Sequence, residues 1–191
     1  MAFCHKGDQM KNYLVEAIKD HLSKVKEKDV YAFNLYLEYA NDNPYQPTVT
    51  FGYNTIEHFT KTAQSEEEIE AKWDYAYWPQ NELFVFGCDK TEKIVKDWML
   101  AKGLGYMTYE EFFSEGFDEN LPDKIDRKVK KELIDVVKEI HSLGLIKQHF
   151  GKELPIIIHE LEYGDEIARI NKRANPNALI KEFVFFCLGE A

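Results

Sequence analysis

His159, Glu160, Glu162, Asp165 and Glu166 fall within one short stretch, just after the apolar run Leu154-Pro-Ile-Ile-Ile158. The run suits a buried strand, so the sequence places a histidine and several carboxylates at a strand end, where a helix begins. His159, Glu160 and Glu162 are the candidate catalytic residues, because such a set serves acid–base or metal-assisted chemistry. A zinc-protease helix needs a second His four residues on, and position 163 is Tyr. Glu162 and Glu166 share a helix face only if the helix begins by Glu162; paired there, they would hold a cation or shift each other's pKa. The competing reading is structural. Acids gather at helix N-termini because the dipole favours them, and a His after three isoleucines reads as a hydrogen-bonded core residue.

Three further clusters compete with this one. Trp73-Asp-Tyr-Ala-Tyr-Trp78 offers Trp73 and Trp78 as binding anchors, or as rings that cover a sheet. Arg127-Lys-Val-Lys-Lys131 is a phosphate grip or, with Asp126, Glu132, Asp135 and Glu139 interspersed, a solvated helix face. Glu66, Glu67, Glu68 and Glu70 form one acidic run; Glu110, Glu111, Glu115, Asp118, Glu119 and Asp123 form another. Like charges so dense point to a partner of opposite sign, with Glu110, Glu111 and Glu115 as candidate contacts. No Gly-x-Ser-x-Gly occurs, and Gly103-Leu-Gly105 lacks the rest of a phosphate-binding fingerprint.

The composition narrows the classes. A net charge of −10 argues against nucleic acid, whose binding draws on Lys and Arg. Residues that are 45% apolar and 14% aromatic specify a folded core. Cys4, Cys88 and Cys187 are too few and too scattered for a disulfide framework or a zinc site, and Cys187, between Phe186 and Leu188, reads as a buried inert thiol. No metal or cofactor is expected. No run approaches the roughly 20 apolar residues of a membrane span, and no signal-peptide core is evident. A cytoplasmic location is therefore expected, with no membrane partner.

The elements that must position these residues read as follows. Leu14, Ile18, Leu22 and Val25 predict a helix over Gln9 to Lys28. Val30 to Tyr39 predicts a strand, with Tyr31, Phe33, Leu35 and Leu37 on one face. Asn41 to Pro47 is turn chemistry, and Thr48 to Tyr53 returns as the second strand of a hairpin. Helix starts are predicted at Asn54-Thr-Ile-Glu57, Ser65-Glu-Glu-Glu68, Asp89-Lys-Thr-Glu92 and Thr108-Tyr-Glu-Glu111. Glu82 to Gly87 is a short strand or a helix turn. The longest helix is predicted from Pro122 to Leu143, with Ile125, Val129, Leu133, Val136, Ile140 and Leu143 as its stripe and Gly144 past its end. A strand over Leu154 to His159 and two helices divided at Asn175-Pro176 complete a single α+β domain, residues 1–191, with a small antiparallel sheet.

Tyr31-Ala-Phe-Asn-Leu-Tyr36, Asn54-Thr-Ile-Glu57 and Lys72-Trp-Asp-Tyr-Ala-Tyr-Trp-Pro79 with Asn81-Glu-Leu83, followed by the long helix and the strand ending at His159, resemble a bacterial family, domain of unknown function 4303. The resemblance implies a setting among immunity or accessory proteins encoded beside toxins, and supplies no catalytic residues. Taken together, the chain is expected to bind a basic protein, such as a toxin it neutralises, without catalysis. The alternative is a small-molecule or metal-dependent enzyme around His159, Glu160 and Glu162. The oligomeric state is open.

Overall fold

Val30–Tyr39 forms β1, the strand around which the rest is organised. The computed structural model describes residues 8–114 and 120–189. β2 (Pro47–Thr55) returns antiparallel to β1, from Tyr39↔Pro47 to Val30↔Thr55. The turn passes through Asn41 and Asp42, both at positive φ (53° and 58°), which Asn and Asp tolerate better than most residues. β3 (Phe84–Phe86) adds to the far side of β2, so the ambiguous Glu82 to Gly87 stretch is a short strand. β4 (Ile156–His159) adds to the far side of β1, and the order is β3-β2-β1-β4.

β4 runs parallel to β1, from Phe33↔Ile156 to Tyr36↔His159. The sheet is therefore mixed, not purely antiparallel as expected. A parallel neighbour requires a long crossover, usually helical, and α6 (Leu121–Ser142) lies on the path to β4. Ile125, Val129, Leu133, Val136 and Ile140 are all 0% exposed, as their spacing predicts. Leu143 is not part of the stripe; it caps the helix and is 48% exposed.

The two faces of the sheet differ in chemistry. Phe33, Leu35, Leu37, Val49, Phe51, Ile156 and Ile158 form an apolar face. Rings from α1 (Gln9–Leu22) and α7 (Leu145–Phe150) meet that side of the sheet through Tyr13–Phe86 and Phe33–Phe150. α1 ends at Leu22, earlier than predicted; Val25 still reaches the core from a turn, so the helical spacing persists without the helix. The opposite face carries Asn34, Tyr36, Glu38, Thr50, Gly52, Asn54 and His159.

Tyr31 departs from its predicted face. A β-bulge between Val30 and Ala32 shifts the register, and an extra residue in one strand re-aims its side chain. Tyr31 joins the polar side, where Asn54 Nδ2 donates to its hydroxyl at 2.9 Å. Trp73 and Trp78 pack edge-on against its ring.

The shorter helices are α2 (Ile56–Thr62), α3 (Glu68–Trp73), α4 (Glu92–Ala101), α5 (Tyr109–Ser114), α8 (Asp165–Ala174) and α9 (Lys181–Leu188). Their starts follow the predicted signals with three changes. Asp89 does not cap α4: it opens a single 3-10 turn, Asp89–Thr91, and Thr91 stands at the cap position without a side-chain bond. Thr55, not Asn54, caps α2, accepting from His58 N–H at 3.1 Å, because Asn54 is turned inward to Tyr31. Ser65 makes no cap for α3, where Glu67 stands at the cap position without a side-chain bond. At α5 the reciprocal box forms: Glu111 N–H reaches Thr108 Oγ1, and Thr108 N–H reaches Glu111 Oε2. Among the described residues no helix is long and apolar enough to cross a membrane.

Candidate functional site

The polar face of the sheet ends in two adjoining clefts. Tyr36, Glu38, Thr50, Asp74, Tyr75, Gln80, Glu82, Glu160, Leu161 and Tyr163 line the first, of about 360 Å³. The second, about 510 Å³, runs along Tyr36, Leu37, Glu38 and Tyr39 to Asp42, Glu160, Leu161 and Glu162. Tyr36, Glu38, Glu160 and Leu161 belong to both.

β1 presents Tyr36 and Glu38 on one face because side chains alternate along a strand. The aromatic segment after α3 folds over them. Asp74 Oδ1 accepts from Ala76 N–H at 2.9 Å, and the Tyr163 hydroxyl accepts from Tyr75 N–H at 2.9 Å. These bonds hold Tyr75 and Tyr163 as cleft walls. Burial raises the pKa of both hydroxyls, and of Tyr36, so all three stay neutral.

His159 lies behind this wall at 2% exposure and lines neither cleft. Its ring is stacked on Tyr36 at 5.1 Å and on Tyr163 at 5.9 Å, with Tyr75 tilted at 4.8 Å. Nδ1 is 3.0 Å from the Glu160 carbonyl, which only accepts, so Nδ1 carries the proton. Nε2 is then the acceptor and faces Asn34 Nδ2 across a long 3.5 Å contact. Burial lowers the imidazole pKa to about 4, against the smaller opposing effect of the Glu160 carbonyl. A neutral, enclosed imidazole is the core histidine that its setting after three isoleucines implies.

The other two catalytic candidates go elsewhere. Glu160 turns its carboxylate to Lys130, with Oε2 2.9 Å from Nζ. Burial raises the Glu160 pKa and Lys130 opposes it. Glu162 is exposed on the loop before α8, which begins only at Asp165, so Glu162 and Glu166 do not share a helical turn. Among the described residues, no three His, Cys, Asp or Glu side chains cluster as ligands for a metal ion.

Lys130 was hidden in the basic run Arg127 to Lys131, which otherwise reads as a solvated face. It is 6% exposed and lies 2.9 Å from Asp126 and 3.5 Å from Glu166, as well as facing Glu160. Burial disfavours the ammonium, but hydrogen bonds to Asp126 and Glu160 outweigh it and lift the pKa to about 12. Tyr39 donates to the other Asp126 oxygen at 2.8 Å. One lysine thus ties α6 to the end of β4 and the start of α8.

The predicted binding residues divide similarly. Trp73 and Trp78 are not exposed anchors: they are 4% and 5% exposed, and Trp78 Nε1 donates to the Lys72 carbonyl at 3.0 Å. Their apolar area is spent on covering Tyr31 and Phe183. Glu110 and Glu111 are exposed on α5, but Glu111 is occupied in the cap of its own helix. Glu115 lies outside the described residues, as do Asp118 and Glu119. Neither Glu66 to Glu70 nor Glu110 and Glu111 line the two clefts. Cys187 is buried, with its thiol raised to about 12 by burial.

Sequence reasoning missed a set of asparagines. Asn171 Nδ2 donates to Ile158 C=O at 2.7 Å while its Oδ1 accepts from Ile158 N–H at 3.0 Å. Asn175 brackets Ile156 in the same way, and Asn81 brackets Tyr53. The signal available was the Asn171 and Asn175 spacing of four, which puts two amides on one helix face opposite alternate strand residues. A scan against family models, a search of curated proteins and a search of solved structures each returned no match.

Proposed function

We propose that this chain works by binding a basic protein, held at the two clefts beside the end of β1. The observation that carries the reading is their lining: Glu38, Asp42, Asp74, Glu82, Glu160 and Glu162, with no Lys, Arg or His among the residues that line either cleft. Lys130 offsets Glu160 from behind, Asp74 is held by the Ala76 N–H, and Glu38, Asp42, Glu82 and Glu162 are exposed. Tyr36, Tyr75 and Tyr163 add ring surfaces against which a guanidinium or ammonium group is attracted. Leu161, 80% exposed on the shared wall, offers an apolar surface for a lysine or arginine stem. The family resemblance adds a setting in which the basic partner is a toxin, neutralised by being held.

The test is titration of a Lys/Arg-rich peptide by calorimetry, with the double variant Glu38→Gln/Glu82→Gln beside the native chain. Both side chains are exposed, so the fold tolerates the change. The expected result is binding that weakens with salt, because screening shortens the reach of exposed charges to about 8 Å at physiological ionic strength, and that weakens further, about tenfold, in the variant. Affinity indifferent to both salt and the variant overturns the reading.

A further inference from the structure

Two stretches of strand edge in this fold are closed by side chains. α8 seals the outer edge of β4 with the Asn171 and Asn175 amides, each matching one strand residue. Asn81 does the same for β2 beyond the last β3 pairing. Such devices blunt an edge that otherwise templates another strand.

The end of β1 is different. Ala40 N–H bonds Gln46 C=O, so the even residues of β1 turn toward β2. Phe33 N–H bonds Pro155 C=O, so the odd residues turn toward β4. The β4 ladder stops at Tyr36↔His159, and the chain then leaves the sheet. The next outward groups are the Leu37 carbonyl and the Tyr39 N–H, and neither has a hydrogen-bond partner among the described residues. No asparagine brackets them. They are one acceptor and one donor, spaced to meet the N–H and C=O of a single incoming strand residue. The second cleft runs along this same stretch, Tyr36 to Tyr39.

We infer that an extended segment of the basic partner adds to β1 at Leu37 and Tyr39 as a short extra strand, in line with β4. The inference rests on the proposed binding of a basic protein and specifies how the partner is held. Main-chain bonds supply the docking, and alternate side chains supply the choice of partner. The incoming residue opposite Glu38 shares its face and projects toward the first cleft, between Glu38, Glu82 and the tyrosine walls. That position selects Lys or Arg, and the alternation favours basic residues at every second place. Its stem lies along Leu161, and the next basic residue in one direction approaches Asp42 and Glu162.

The test uses the full chain, labelled with ¹⁵N, and a short peptide that alternates Lys with Val. Two controls accompany it: the same peptide N-methylated at its central Lys, and spermine as a cation with no peptide backbone. The expected result is slowed exchange of the Tyr39 amide in the complex, by roughly tenfold, and an affinity about five- to tenfold lower for the N-methylated peptide. Equal binding of both peptides with Tyr39 unprotected overturns strand addition and leaves a charge-only cleft. Failure of every cation, spermine included, to bind in a way that Glu38→Lys abolishes overturns the basic-partner reading itself.

Discussion

Asn171 stands opposite Ile158 as a surrogate strand residue, its amide nitrogen 2.7 Å from the Ile158 carbonyl and its amide oxygen 3.0 Å from the Ile158 N–H. A backbone that would face water or a helix without partners is satisfied by one side chain. Asn171 is 0% exposed, so water cannot easily replace it. Asn171→Leu is expected to lower stability by about 2–4 kcal/mol, since two buried main-chain groups lose their partners. A shifted urea midpoint measures this. The variant should also self-associate, visible by light scattering, because the β4 edge is then unguarded. An unchanged midpoint would show that the bracket adds nothing.

Lys130 faces three carboxylates from three segments: Asp126 on α6, Glu160 just past β4 and Glu166 on α8. Removing it alone leaves Asp126, Glu160 and Glu166 without their shared cation. Lys130→Met should cost about 3 kcal/mol, the scale for breaking a buried ion pair. Adding Glu160→Gln should return part of that loss, because the half-buried carboxylate is then neutral. Denaturant unfolding of the single and double variants decides the point: a double variant no more stable than Lys130→Met means that Glu160 does not need this cation.

The fold was legible wherever one periodicity governed an element. The α6 stripe is buried from Ile125 to Ile140, and β1 spans Val30–Tyr39 as its β-branched and aromatic content implied. Legibility failed where a partner outside the element decided the outcome. Tyr31 changed face because β2 is one residue short opposite it. β4 is parallel because of where the crossover delivers it, which no local pattern encodes. The site failed for the same reason. Glu160 and Glu162 line the clefts, but Glu38 comes from β1, and Asp74 and Glu82 from the connection between α3 and β3. Lys130 looked like one charge among many because two of its acids, Glu160 just past β4 and Glu166 on α8, lie outside its own helix.

Trp78 looks like a binding anchor in sequence and is a packing residue in space. Trp78→Ala removes a ring that is 5% exposed and leaves the Lys72 carbonyl without its indole donor. The expected loss is about 3–5 kcal/mol. A melting curve checks it. Under native conditions far from that melt, affinity for the basic peptide should change little, because Trp78 lines neither cleft. Native stability with lost binding would restore it to the role of an anchor.

His159 gives the protein a pH dependence of predictable sign. Burial holds its pKa near 4, below the ordinary 6.5. Between those values the unfolded chain binds a proton that the folded chain refuses. Stability is therefore full above about pH 6.5 and falls as pH drops toward 4, by up to about 3 kcal/mol. Glu160 opposes this in part. Its pKa is raised by burial, so the folded form retains a proton just above the ordinary carboxylate range, and its contribution weakens as pH rises through that range. His159→Phe keeps a ring between Tyr36 and Tyr75 and removes the titration. The variant loses the Nδ1 bond to the Glu160 carbonyl, so it should be less stable at pH 7. It should also lose less on acidification, which flattens the curve between pH 6.5 and 4. Urea midpoints across that window measure both effects. Parallel curves for the two proteins would mean that the acid sensitivity belongs to another group.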